Sequence, residues 1–472
     1  MKLNINHVFK ITAQGFASGM LLLGFSFQVT AQVQNLHQVL EQSKQNFPSI
    51  KAKQAEVNSA TRKVSANKTD YLPTVLLNTQ YSLSSNNNMT GSFYPNDAIG
   101  ISTTGAALPE DVYRGVYSNL TSLAIDWKVF SFGKVQAGVG VAKQNQQISQ
   151  ADYDNELFQH QVRVIDLYLN ALAAQKLVRV QETNLQRAKS VKDIVRSGAR
   201  SGIRAGVDSM MANAEYARAL MQLSESKSQA RVANLRLSEV SGIYNKDLVA
   251  DTMAFFHQTP FDSSKTTVSL HPRLKLYRSQ IDASIAKSRL AKLNYLPSFS
   301  LVASGLARGS GNSRTTGQTS YDLASGASYN LYNYLLGVSF RWNITGLARI
   351  KSDYNSEKYL SDKYQYLYEE QELALKRQAG EADAQMELAK EQAQLVPLEL
   401  EAARNAYNQA KARYESGLSD ILSLNQNYYF LNRAEAGYYI SMHNLWKALL
   451  IKSATSGDLS VFLNQCKKGF GD

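Results

Sequence analysis

The residues that could carry covalent or metal chemistry are few and poorly placed for it. Six histidines (His7, His37, His160, His257, His271, His443) are scattered, with no two at the spacing of a metal site. No nucleophile elbow, phosphate-binding loop or zinc signature occurs. The single cysteine, Cys466, can form no disulfide within the chain. No catalytic residue, cofactor or metal is therefore expected, and the chain does not read as an enzyme. A different pattern recurs, carboxylate beside glycine. Asp208 follows Gly202 and Gly206, and Asp420 follows Gly417, Leu418 and Ser419. Glycine suits the left-handed residue that ends a helix, and aspartate suits the cap that starts the next one. That is the chemistry of helical reversals.

Helices that reverse there must be long. Ala379, Ala382, Met386, Ala389, Ala393, Val396, Leu400, Ala403, Tyr407, Ala410 and Tyr414 alternate steps of three and four, the seam of a coiled coil. Val164, Leu167, Ala171, Ala174, Val178, Gln181, Leu185, Ala188, Lys192, Val195 and Ala199 fall in the same register, offset by 379 − 164 = 215. Trp127 and Trp342 share that offset, as do Gly202 and Gly417. The chain is a tandem repeat. A helix from Lys134 to about Ser197 would be roughly 96 Å long, and one from Leu347 to Ser416 roughly 105 Å, bent at Pro397.

Before each long helix lies a shorter one, Leu36–Asp70 and His271–Asn294, each stopped by Tyr-Leu-Pro at Pro73 and Pro297. The period then changes to two. Val75, Leu77, Thr79, Tyr81 and Leu83 alternate with Thr74, Leu76, Asn78, Gln80 and Ser82, and a polar loop (84–115) leads to a returning strand at about 117–130. In the second copy Phe299, Leu301 and Ala303 precede a Gly/Ser/Thr loop. There follows a strand with Tyr332, Tyr334, Leu336, Val338, Phe340, Trp342 and Ile344 on one face. An apolar face carrying aromatics near its ends, opposite a wet face, suits a barrel strand in lipid. Four strands cannot close a barrel, and an open edge in a bilayer leaves backbone groups unpaired. Chains must pool their hairpins. Two would give eight strands filled by side chains, whereas three give twelve and room for a water channel.

At the start, Lys2 and Lys10 precede an apolar run from Phe16 to Val29, and Val29-Thr30-Ala31 offers small residues before a cut at Gln32. This pattern predicts a secretory signal peptide, too short to span a membrane as a helix. Removing it leaves 472 − 31 = 441 residues and takes the charge from +12 to 12 − 2 = +10. The basic excess is interleaved with Glu and Asp along helices, so it reads as a solvated surface and not as a nucleic-acid site. The expected division is a signal peptide at 1–31, a first repeat at 32–250 with its hairpin at about 74–130, and a second repeat at 251–452 with its hairpin at about 298–344. A polar, poorly packed tail at 453–472 would complete the chain. An exported coiled-coil adhesin or structural rod is the alternative. It would not need two alternating hairpins at matching places in a duplicated chain.

The duplicated Leu-Pro stops, the Trp closing each hairpin, Arg413-Tyr414-Glu415-Ser416-Gly417 with Asp420-Ile421-Leu422 at one tip, and Gly202 with Asp208 at the other resemble the TolC-like outer membrane factors of Gram-negative cells. The resemblance implies a homotrimer with a twelve-stranded β-barrel in outer membrane lipid, continued by an α-helical barrel across the periplasm. It implies a passive exit duct for efflux or type I secretion. Such a duct docks through tips at Gly202, Gly206, Gly417, Leu418 and Ser419 on a periplasmic adaptor and an inner-membrane transporter. It also implies a gate in which the Tyr414 phenol bonds the Asp208 carboxylate and three copies of Asp420 ring the mouth. Two departures stand out. Leu418-Ser419 replaces a basic residue common in the family, and Ser423 stands where a second gate carboxylate is usual. Arg204 on the opposite tip is the candidate for the missing positive charge.

Overall fold

The computed structural model describes residues 33–85, 113–202, 205–242, 266–313 and 318–468, with short pieces at 249–250, 255–256, 259–260 and 316. The signal-peptide expectation at 1–31 and most of the first hairpin loop lie outside the described residues.

The chain opens with a two-residue strand, β1 (Val33–Gln34), and helix α1 (Leu36–Asn46), started by a capping box between Asn35 and Gln38. Helix α2 (Pro48–Lys68) follows at once. The single helix expected over Leu36–Asp70 is therefore two. Pro48 pushes Phe47 into the extended region (φ −71°, ψ 126°), which breaks the first helix and supplies the favoured first residue of the second.

Strands β2 (Thr74–Ser84) and β3 (Val116–Phe130) come next, followed by the 67-residue helix α3 (Lys134–Arg200) and the returning helix α4 (Gly206–Ser241). After β4 (Val249–Ala250), which pairs in parallel with β1, the pattern repeats. Helix α5 (Pro272–Leu293) leads into β5 (Ser298–Ser310), β6 (Leu331–Arg341), the 69-residue α6 (Leu347–Glu415) and α7 (Ile421–Ser456). At about 1.5 Å per residue the two long helices span about 100 Å each, and α6 continues through Pro397. Among the described residues no helix is long and apolar enough to cross a membrane.

The four long strands form one antiparallel sheet in the order β2-β3-β5-β6. Its register aligns Val75 with Ile125, Leu77 with Leu123, Ile125 with Ala303, and Ala303 with Leu336. Most of the large apolar and aromatic side chains of the four strands thus fall on one face, and that face is uncovered: Leu77, Tyr332, Leu336 and Val338 are exposed and Tyr334 is 85 % exposed. The last strand ends at Arg341, three residues short of the expected Ile344, and Trp342 leaves the ladder there. Its indole Nε1 donates to the carbonyl of Tyr295 at 3.0 Å, and Trp127 does the same to Tyr71 at 3.0 Å. Each tryptophan clasps the end of its sheet to the end of the preceding short helix. The partners lie 56 residues apart in the first copy and 47 in the second. The difference of nine is the step between the 224-residue offset of the two tyrosines (295 − 71) and the 215-residue offset of the two tryptophans.

The core divides in two along the helices. One cluster forms a belt around the middle, joining Leu36 and Leu40 of α1, Tyr168 and Leu172 of α3, Phe255, and Trp446 and Leu449 of α7. The C-terminal segment belongs to this belt, which corrects the expectation of a poorly packed tail. Gly457 (φ 79°) turns the chain where a Cβ would meet the His271 backbone at 2.5 Å. Helix α8 (Ser460–Lys468) then buries Phe462 and Cys466, with Phe462 set edge-on to Trp446. Leu459, Phe462 and Cys466 step by three and four, and burial of that short stripe holds the helix in place.

Candidate functional site

The second cluster lies at the far ends of the helices, where both reversals occur. Val191 and Val195 from α3, Ala212 and Ala219 from α4, Tyr407 and Tyr414 from α6, and Ile421, Leu424 and Tyr428 from α7 pack together. Four helices are stitched into one tip. Tyr414, the last seam residue of α6, is 1 % exposed within it.

At the α6–α7 reversal Gly417 adopts φ 77°, with its N–H donating to the Tyr414 carbonyl at 3.1 Å and the Leu418 N–H to the Arg413 carbonyl at 2.8 Å. This pair of bonds is a Schellman cap, and it leaves the Leu418 side chain exposed. Ser419 is half-buried. Asp420 is exposed and caps α7, its Oδ1 accepting from the Ser423 N–H at 2.9 Å. Ser423, where the second gate carboxylate was missing, thus supplies the backbone donor for the first.

The α3–α4 reversal differs. Gly202 is again left-handed (φ 73°), but the N-cap of α4 is Ala205, whose side chain makes no capping bond. Gly206 is the first helical residue and Asp208 the third, half-buried, one turn ahead of the buried Ala212. Asp208 is therefore not an N-cap, although its charge still favours the helix start. Arg204 lies outside the described residues. A Cβ at Gly202, Gly206 or Gly417 would meet nothing within 4 Å, so the backbone of both tips is open to an approaching surface.

Sequence reasoning missed the polar ties across the tip. Arg187 of α3 pairs with Glu435 of α7, both largely buried. Tyr428 donates to the Asn184 carbonyl at 3.1 Å, and burial pushes its phenol pKa up. Tyr429 donates to Glu215 of α4, and Arg218 donates to the Tyr429 oxygen at 2.9 Å. Burial and the Glu215 bond raise the Tyr429 pKa as well. These phenols stay neutral donors near pH 7. The visible signal was Glu215 and Arg218 one turn apart on α4; what Tyr429 contributes comes from another helix.

The tips expose open backbone, and the opposite end presents an apolar sheet face. A four-stranded sheet with a bare apolar face, carried on helices about 100 Å long, defines a class: a membrane-anchored conduit subunit reaching far into an aqueous space. Residues 39–243 and 266–436 match the family described as outer membrane efflux protein, which is most of the chain. The chain belongs to that family. It is an outer membrane protein, and membership in a family of channel proteins rather than enzymes supports an exit duct in that membrane.

Solved structures share the fold. The CmeC outer membrane channel of Campylobacter jejuni is 15 % identical, with TM-score 0.71, covering 92 % of this chain and 89 % of that one. VceC of Vibrio cholerae, an outer membrane protein, is 13 % identical with TM-score 0.69 over 90 % and 96 %. The open state of the MtrE channel of Neisseria gonorrhoeae is 15 % identical with TM-score 0.68 over 90 % and 89 %. No curated protein matches by sequence.

Proposed function

We propose that three copies of this chain close a twelve-stranded barrel, continue it as a helical tube, and form the exit of a tripartite efflux or type I secretion assembly. One observation carries the trimer. The sheet ends in two unpaired edges, β2 and β6, beneath an apolar outer face, and a bilayer leaves no water to satisfy an open edge. Joining β6 of one copy to β2 of the next removes every edge. The exposed rows on the lower helices support the same ring, with Met210, Met221, Val232 and Leu235 on α4 and Leu388, Leu395 and Leu398 on α6.

The tips dock on a periplasmic adaptor, and through it on an inner-membrane transporter. Gly202, Gly206 and Gly417 leave room for another backbone, while Leu418 and Ser419 present an apolar and a polar contact. At rest the tips close. Asp208 and Tyr414 hold the closed state through a phenol-to-carboxylate bond worth about 1.5–3 kcal/mol per copy, Arg204 adds positive charge, and three Asp420 carboxylates select cations at the mouth.

Mass measurement in mild detergent should give three chains, and a stable membrane-inserted monomer would overturn the assembly. Gly417→Trp should keep the trimer and lose adaptor capture; unchanged capture would remove the docking role. In single-channel recordings, Asp208→Ala with Tyr414→Phe should raise the resting conductance, and Asp420→Ala should weaken cation preference. Parent-like conduction in both would leave Asp420 only its capping role at Ser423.

A further inference from the structure

A cleft of about 650 Å³ opens between α3, α5, α6 and α7, at the level where α5 begins and α7 ends. That volume is in the range of small-molecule sites. Its floor is apolar, with Phe158, Val162 and Ile451 among the lining side chains. Its charges do not balance. Asp166 is held by Lys447 at 3.0 Å, and Glu381 is held by Arg377. Arg163 and Arg273 also line the cleft, and among the described residues neither makes an ion pair. Two unmatched guanidinium groups over an apolar floor are complementary to a molecule with an anionic head and an apolar body.

The cleft has a definite side. Arg163 and Asp166 stand roughly 140° and 160° around α3 from Tyr168, at 3.6 residues per turn. Lys447 and Ile451 stand roughly 100° and 140° around α7 from Trp446. Tyr168 and Trp446 face the belt, where α1 and α8 add a second layer to the wall. In the proposed closed tube a second layer fits only on the outer surface, which leaves the charged rim of the cleft toward the bore while Phe158, Val162 and Leu450 at its base pack on the belt.

We propose that this cleft is a cargo-contact site in the bore, one per protomer, which takes amphiphilic organic anions through Arg163 and Arg273. The inference rests on the trimeric duct described above and gives it a substrate class. It places a basic station midway along a conduit whose mouth carries Asp420.

Naphthalene-2-sulfonate is a suitable probe, with its naphthylmethylammonium counterpart and methanesulfonate as controls. Equilibrium dialysis against the amphipol-held protein should find three sulfonate sites per trimer, weak binding of methanesulfonate and none of the cation. Replacing both arginines (Arg163→Gln with Arg273→Gln) should weaken binding by about a hundredfold, since each lost charge-assisted contact is worth about a factor of ten. Arg163→Lys with Arg273→Lys keeps the charge and should retain most of the binding, which separates charge from folding damage. Equal binding by the parent and the double Gln variant overturns the site, as does equal binding of the cation. In planar bilayers the probe should reduce single-channel current in the parent and not in the Gln variant. Intact binding with no effect on current would place the site off the bore and overturn its cargo role. A parent trimer that carries no current in any state would instead overturn the duct, whatever the dialysis shows.

Discussion

Val180 and Leu395 occupy the same place in the repeat, 395 − 180 = 215, yet Val180 is 6 % exposed and Leu395 is 57 % exposed. The two long helices carry one seam in two settings. Helix α3 is packed mainly by α1, α2, α4, α5 and α7, whereas α6 is packed mainly by α5 and α7. Duplication gave both helices the same inner stripe, and position in the chain decided which would be surrounded. The first is a hub. The second is an edge whose outer row, Leu388, Leu395 and Leu398, is left uncovered within the chain.

The strongest test of this difference is one charge placed at both positions. Val180→Glu buries a carboxylate with no partner and should destabilise the protomer by about 4 kcal/mol, seen as lost helical signal on heating. Leu395→Glu should leave helical content intact and shift the mass in detergent from three chains to one. A trimeric Leu395→Glu variant would break the comparison.

A second pair sharpens it. His160 of α3 corresponds to Leu375 of α6 (375 − 160 = 215), and both are buried. Phe47 stacks on His160 at 4.2 Å; burial is the main reason its pKa is lowered, while Glu156 raises it and Arg163 lowers it. His271 and His443 are also lowered by burial. A lowered folded value means that protonation favours the unfolded chain. Stability is therefore full above the ordinary histidine value of about 6.5 and falls as pH drops below it toward the folded values. His160→Leu should remove part of this acid sensitivity, read as a smaller drop in Tm between neutral and mildly acidic buffer. An unchanged drop would assign the sensitivity to the other two histidines.

The smallest expected effect tests where the repeats are alike. Trp127→Phe and Trp342→Phe each delete one indole-to-carbonyl bond and should each cost about 1 kcal/mol in chemical denaturation. Unequal losses would mean that the two clasps have diverged along with the helices around them.

Much of the architecture was legible because long periodic patterns leave little freedom. All eleven seam positions of α6, and all eleven of α3 including Gln181 and Lys192, are buried or half-buried. The strand faces were legible for the same reason, since a period of two assigns every side chain once the register is set. Short patterns failed. The Leu459-Phe462-Cys466 stripe is too brief to predict a helix alone, because so short a helix depends on packing against a distant surface. Phe47 ends the first helix because Pro48 follows it, a signal present in the sequence within the single helix expected over Leu36–Asp70. Asp208 looked like a cap by its distance from Gly202, yet the cap position fell on Ala205. The tryptophan clasps were invisible in mechanism, because their acceptors are backbone carbonyls and any residue carries one.

Those clasps have a mechanical meaning. Each clasp ties the sheet to a short helix just above the start of a long one, and α6 is supported again at the belt, where it buries Met386, Ala389 and Ala393. Below Ala393 the remaining 22 residues to Glu415 overhang by about 33 Å. A pivot of roughly 10° at the belt would carry the end through about 6 Å, a lever arm computed from the same rise. Because the tip cluster joins α3, α4, α6 and α7, the overhang of each protomer is packed as one body, which the proposed gate would move as a unit. In the gate proposed above, the two supports would keep such leverage from reaching the sheet, so the lower end would move while the sheet stays still.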